Sequence, residues 1–318
     1  MTTIQRPGVT PVKIQPPQPA SLCSVEICKY VRTYDGQDKV SGRGTGFHFR
    51  DTSGTVWLVT NWHVVTGRRP DNPAMLIGNA MASPTSIGVA YQSRKDGQFL
   101  RHLTLPLYEQ DGTPSWYEYR RDSGVDLAAL PIQLPDDVKC PCVQDFADRD
   151  TGSFVPGLDL TIIGMAFQHS RETPYPIWKG ARVASEPGYL AMGVPQVLID
   201  TAGVPGMSGS PVYRVSRGVK VSREAAKAVE NFRAGGDGEA LEALVGLALS
   251  QAEEGPVLSF VGVYAGSTGS RDLEKLSLGR MFMASLVDLL VVERQRGVNP
   301  FPPEFYGVSS PDSAAPSV

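Results

Sequence analysis

Three short stretches of the 318-residue sequence hold residue types able to do nucleophilic chemistry: WLVTNWHVV at 57–65, SGVDLAALPI at 123–132 and GVPGMSGSPVY at 203–213. The first carries His63, one of only four histidines, at the end of an apolar run that reads as a strand. An imidazole held there can accept a proton near neutral pH. In the second, Asp126 leads straight into apolar residues, so the strand carries its carboxylate inside, where it needs a partner. An imidazolium is a suitable one, and a carboxylate beside it holds one histidine tautomer. In the third, glycines flank Ser208. A nucleophilic serine needs an exposed Oγ and its own N–H turned toward an incoming carbonyl oxygen. Gly206 permits the backbone angles of such a turn, its amide and those of Met207 and Ser208 are candidate oxyanion donors, and Gly209 leaves room for a substrate.

Taken singly, each stretch has a structural reading: a satisfied core histidine, a strand-end turn carboxylate, an ordinary Gly/Ser turn. Their order adds information. His63, Asp126 and Ser208 follow one another at intervals of 63 and 82 residues. Hydrolases with a nucleophile elbow run Ser, Asp, His, and subtilisins run Asp, His, Ser.

The elements that must position these residues are mostly strands. Between about residues 21 and 215, runs such as SVEICKYV, GTGFHF, LTIIGMAF, QVLIDTA and GSPVYRV are rich in Val, Ile, Leu and aromatics and are bounded by turn formers. With 33 glycines and 26 prolines, the chain has turns enough for many short strands, and an all-β sandwich or barrel pair is expected. The pattern changes at 217–256, where Ala225, Ala228, Val229 and Phe232, then Leu241, Leu244, Val245 and Ala248, fall at helical spacing on either side of AGGDG. Because a β-run resumes at LSFVGVYAGS, 258–267, this helical pair is an insertion between strands. MASLVDLLVVERQ, 283–295, reads as a C-terminal helix. Residues 1–20 are a flexible, Pro-rich leader and 299–318 a disordered tail.

Composition narrows the partners. A net charge of −3 makes no case for nucleic acid or an anionic membrane. No apolar stretch is long enough to span a bilayer, and the leader has no apolar core of a secretory signal, so a cytoplasmic location is expected. The cysteines stand as Cys23 with Cys28 and Cys140 with Cys142; free thiols are expected, since the Cys-Pro-Cys spacing is tighter than zinc motifs use. Neither metal nor cofactor is expected.

The order and local contexts resemble the trypsin/chymotrypsin-like serine peptidases, in their bacterial-type branch that lacks disulfides. GTGFHF…WLVTNWHVV resembles the family's Gly-rich strand and histidine motif, VDLAALPI its aspartate strand, PGMSGSPV its serine loop and FVGVYAG the strand that follows. The resemblance spans roughly 21–295. It implies two six-stranded antiparallel barrels, about 21–145 and 146–298, with the site in the cleft between them. It also implies peptide-bond hydrolysis through His63, Asp126 and Ser208, with a peptide or protein substrate paired along Val263, Tyr264, Ala265 and Gly266. At the position where trypsin-type enzymes carry a pocket aspartate this chain has Ala202, with Asp200 two residues too early, so an apolar or small substrate side chain is expected. Met207 replaces the aspartate that captures a new N-terminus in digestive relatives, and that mode of activation is not expected. A regulatory partner acting through the insertion 217–256 is. Two other readings use the same residues: a peptide-binding module that no longer cleaves, and an esterase. His48, His102 and His169 lack this context and read as surface or core residues.

Overall fold

The computed structural model describes residues 3–4, 12–13, 17–78, 80, 82–93, 99–122, 124–150, 152–167, 173–188, 193–220, 245–246, 253–267 and 276–303. The fold is all-β and chymotrypsin-like. A two-residue ribbon, β1 (Thr3–Ile4) with β2 (Val12–Lys13), lies within the stretch expected to be a flexible leader. The body starts at helix α1 (Pro19–Cys23), whose Ala20 is already buried, slightly earlier than the sequence suggests.

The first sheet is built from β3 (Ser24–Arg32), β4 (Asp38–Arg50), β5 (Val56–Thr60), β6 (Ser86–Ser93), β7 (Phe99–Pro106), β8 (Tyr117–Glu118), β9 (Ala128–Pro131) and β10 (Val138–Lys139). Its strand order is β10-β6-β3-β4-β5-β9-β8, with β7 on β6, and among the described residues no pairing closes it into a ring. The second body begins at β11 (Asp148–Arg149). It continues through β12 (Asp159–Gly164), β13 (Ile177–Val183), β14 (Val197–Asp200), β15 (Pro211–Lys220), β16 (Glu253–Ser267) and β17 (Leu278–Met283). Here the order β16-β15-β12-β13-β14-β17 returns to β16, giving a closed six-stranded antiparallel barrel, with β11 parallel to β16 outside the ring.

Helix α2 (Trp62–Thr66) follows β5, and helix α3 (Ala284–Glu293) is the expected C-terminal helix. The last strand, β18 (Gln295–Arg296), pairs with β8 in the first sheet, so residues assigned by sequence to the second barrel return to the first body. Asn299–Pro303, expected to open the disordered tail, are docked as well. Buried Asn299 donates to Ser83 Oγ at 3.2 Å and to Tyr108 Oη at 2.8 Å, and Arg68 stacks over the Phe301 ring.

The bounds of the insertion also change. Arg217 to Lys220 pair with Pro256 to Glu253, so both ends of the expected helical segment are a β15–β16 hairpin extension. Val245 and Gly246 are helical; the rest of 221–252 lies outside the described residues.

Three cores hold the bodies together. One lies inside the first sheet around Ile27, Leu58, Val89 and Trp116, and one inside the closed barrel around Ile162, Ile199, Val212 and Met281. The third is shared: Phe47 and Trp57 of the first sheet meet Tyr213, Phe260 and Phe282 of the second, capped by Val287 and Leu290 of α3. This explains why residues 44–49 of β4 are buried without alternation. Phe47 and Phe49 enter the shared core while His48 points the other way, onto Tyr91. The Phe47 and Phe260 rings sit 5.4 Å apart, and burial of each such side chain contributes about 1.5–3 kcal/mol. At the outer edge Arg294, the left-handed C-cap of α3, bonds Asp51 at 3.0 Å, fixing the helix to the β4–β5 turn.

Candidate active site

The sequence places His63 at the end of a strand; the structure places it one turn later, on a helix. β5 stops at Thr60, and Trp62–Thr66 form a single helical turn closed by Gly67 in the left-handed region at φ 69°, whose N–H bonds His63 O at 3.0 Å. The break is enforced by Asn61, which turns away from the ladder to donate from Nδ2 to Asp126 O at 2.7 Å. A run of β-branched residues does continue past His63, but the tertiary bond overrides their strand preference.

Asp126 lies two residues before β9 and is fully buried, as its sequence context requires. Both carboxylate oxygens are used on the same histidine: Oδ1 accepts the His63 backbone N–H at 2.9 Å and Oδ2 meets Nδ1 at 2.6 Å. This fixes the ring orientation and assigns the Nδ1 proton to the carboxylate side, leaving Nε2 as the nitrogen able to accept one. Burial alone would raise the Asp126 carboxyl, but the His63 imidazole, and then Arg280, outweigh it and hold the group below the usual carboxylate range.

Ser208 lies in the loop 201–210 between β14 and β15. Gly206 adopts φ 97°, and a Cβ there would come within 2.6 Å of Met165 O and 2.7 Å of Phe167 N. Gly209, at φ 87°, is packed so closely that a Cβ would fall 2.0 Å from Thr45 O. Thr45 of β4 therefore anchors the loop from the other body. Its N–H bonds Ser208 O at 2.8 Å, and its hydroxyl bonds Gly206 O at 2.8 Å while accepting from Met165 N at 2.9 Å. The sequence reading passed over Thr45; its only signal is the pair of glycines around it.

The three candidate oxyanion amides separate. Met207 N–H donates to Val204 O at 3.2 Å and its side chain is fully buried in the barrel core, so Met207 offers no free donor. Among the described residues the Gly206 and Ser208 amides donate to no protein acceptor. Two unused N–H groups in one loop can stabilise a developing negative oxygen.

His63 and Ser208 line one cavity of about 470 Å3, together with Arg69, Asp71, Ala265, Gly266 and Arg280. Among the described residues no hydrogen bond joins His63 to Ser208. Gly266, at φ 80°, approaches the serine closely: a Cβ on it would lie 3.1 Å from Ser208 Oγ. A second cavity of about 490 Å3 opens on the other side of Ser208, lined by Ala202, Gly203, Tyr264, Ser267, Ser277 and Leu278 among others. Among the described residues none of its walls is charged, and Asp200 is not one of them.

Of the residues expected to pair with substrate, two do not have backbone to offer. Val263 is fully buried in the shared core, its strand flanked by Pro211 and Phe282. Tyr264 spends its N–H on Ser210 O and its carbonyl on Gly209 N–H, both at 2.9 Å, while it also lines the second cavity. β15 starts at Pro211 and cannot cover β16 beyond that point, so the segment available beside Ser208 is Ala265–Ser267.

Arg280 was not singled out from sequence, since an arginine in a β-run reads as a solvated side chain. It stands 3.7 Å from Asp126 Oδ2 and donates to Ala265 O and Ser267 O, each at 3.1 Å. His48 is a core residue between Tyr91 Oη at 3.0 Å and Cys140 Sγ at 2.8 Å, His102 is exposed on β7, and His169 lies outside the described residues. All four cysteines are free thiols, and among the described residues no group of three or more ligating side chains could hold a metal ion. Nor does any helix among them have the length and apolarity to cross a membrane.

No curated protein sequence matches the chain. Among solved structures, the crystal structure of Rv3671c from M. tuberculosis H37Rv, in an inactive mutant form, is 14% identical with a TM-score of 0.40, over 86% of this chain and 87% of that one. The family described as "trypsin-like peptidase domain" matches residues 44–221, from the glycine pair around Thr45 through His63, Asp126 and Ser208 to the end of β15. That match takes in more than half of the sequence, and the chain belongs to the trypsin-like serine peptidase family.

Proposed function

We propose that the chain is a serine endopeptidase in which Ser208 attacks the scissile carbonyl, His63 takes its proton and passes it to the leaving amine, and Asp126 orients the imidazole and stabilises its charged form. The observation that carries this reading is the two-point hold of Asp126 on His63, through the backbone N–H and Nδ1, at a cavity shared with Ser208. A carboxylate that merely balanced a buried charge would not need to fix both the ring and its backbone. The unused Gly206 and Ser208 amides receive the oxyanion of each tetrahedral intermediate. The acyl-enzyme is then hydrolysed by water activated through the same imidazole. The His63–Ser208 contact closes in the substrate complex, as nucleophile–base contacts commonly do.

An extended peptide pairs with Ala265–Ser267, which places the side chain before the scissile bond in the second cavity. Its described walls, Ala202 and Tyr264 among them, carry no charge, which suits a small or apolar side chain. The segment beyond the β15–β16 hairpin, next in sequence to the serine loop, is the candidate site of control by a partner protein. Four free thiols suit a reducing compartment such as the cytoplasm.

Labelling with a fluorophosphonate probe, read by intact mass, tests the assignment. Wild type is expected to gain one probe mass and Ser208→Ala none. A folded wild type that stays unlabelled, with and without cell lysate, would favour a peptide-binding module; labelling with turnover of esters but of no peptide library would favour an esterase.

A further inference from the structure

We propose that Arg280 is a positioning residue of this site: it staples the Ala265–Ser267 edge to Asp126, the group that orients His63, and so holds the edge that receives a peptide in place against the histidine. The inference rests on the peptidase reading for its role and on geometry for its existence. β17 carries Arg280 opposite Leu198 of β14, yet its side chain leaves that ladder and enters the His63–Ser208 cavity. There it is only 16% exposed. Nε donates to Ser267 O and Nη2 to Ala265 O, each at 3.1 Å, and the same Nη2 stands 3.7 Å from Asp126 Oδ2.

Those bonds compensate for a local defect. The β16–β17 register shifts between Tyr264 and Ser267, where Gly266 takes φ 80°, so the ladder itself does not hold this stretch. A planar guanidinium can bond two carbonyls of one strand at once, which an ammonium cannot match. The bulged edge that must receive a peptide is therefore fixed to the same group that orients the histidine.

Arg280→Gln and Arg280→Lys, each checked for folding by circular dichroism, test the staple. In both variants hydrogen exchange at 265–267 is expected to quicken, because neither side chain reproduces the two-carbonyl fork, while exchange in the barrel core around Ile162 and Ile199 stays with wild type. In R280K, which keeps the charge, KM for a peptide substrate should rise about tenfold with kcat near wild type, since the receiving edge loosens while His63 and Asp126 keep their contacts. Unchanged exchange in folded R280Q and R280K overturns the staple, and a loss confined to kcat overturns its assignment to the receiving edge. The exchange readout needs no turnover. An enzyme that fails to label while exchange quickens would defeat the peptidase reading and leave the Arg280 inference standing.

Discussion

Gly206 answers two demands at one position. Its φ of 97° is unfavourable for any residue with a Cβ, and the space where a Cβ would go is filled by backbone atoms of Met165 and Phe167 that cannot swing aside. Gly206→Ala must therefore turn the peptide, and with it the amide proposed to bind the oxyanion. Loss of one such donor costs about 100- to 1,000-fold in rate in comparable sites. We expect the probe-labelling rate of G206A to fall by about that factor, with a lower melting temperature; labelling within threefold of wild type would exclude the amide as a donor. The same scale shows what a sequence reveals of a site. His63, Asp126 and Ser208 are legible because their chemistry conflicts with their surroundings: a titratable ring and a carboxylate in apolar runs, a serine among glycines. Thr45 and Arg280 are not, because a threonine in a strand and an arginine on one are what any β protein carries. Which loop amides are free is likewise not legible, since adjacency to Ser208 says nothing of the bond that the Met207 amide makes with Val204.

At the scale of elements, the legible strands are those with dense apolar content between turn residues: β3, the buried half of β4, β5, β9, β12, β14, the start of β15 and the second half of β16. β6 and β7 escaped because SIGVAYQS and FLRHLTLP mix polar and apolar residues, and β13 because IWKGARV exposes alternate side chains. Their strand state comes from partners far away in sequence, which no local pattern encodes. The helix at His63 was missed for the same reason. The insertion illustrates the converse: its helical spacing hid four strand residues at each end. Because Lys220 pairs with Glu253 and the pairs follow in unbroken register back to Tyr213 with Phe260, the hairpin can be closed by a two-residue turn. Replacing 221–252 with Asn-Gly should leave the barrel intact, since a shorter loop costs less entropy to close. The expected outcome is a melting temperature within a few degrees of wild type and full labelling of Ser208, together with loss of any partner dependence. If labelling disappears from a folded deletion variant, the segment is part of the active site and not a docking element.

For the molecule as a whole, the acid limit of stability traces to a residue away from the candidate site. His48 is fully buried in β4, where it joins the end of α1 through Cys23 O at 3.2 Å, β6 through Tyr91, and the segment at Cys140. Burial pushes its imidazole down from an ordinary 6.5 to about 4, against a weaker opposing pull from the Cys23 carbonyl. The unfolded chain therefore takes up a proton there before the folded one can. The stabilising contribution is complete above pH 6.5 and is lost as pH falls through 4. A depression of this size corresponds to roughly 3 kcal/mol at the acid end, a large share of a typical folding free energy. The depressed carboxylates act later: Asp51, whose burial is outweighed by bonds from Ser53, Trp57 and Thr55 that hold it at about 2, contributes until the pH drops below its ordinary 3.8. Glu118, raised by burial, works in the opposite sense but does so with or without His48. Comparison of wild type with His48→Gln by urea unfolding at intervals from pH 7.5 to 4 isolates the histidine. H48Q should be the less stable protein at pH 7.5, having lost packing and the tuned contact with Tyr91. Its deficit should then shrink, and reverse, as wild type loses its roughly 3 kcal/mol between pH 6.5 and 4. Stability curves that run parallel through that window would show that His48 takes up its proton without cost, and the three-way junction around it would then not be what limits the fold in acid.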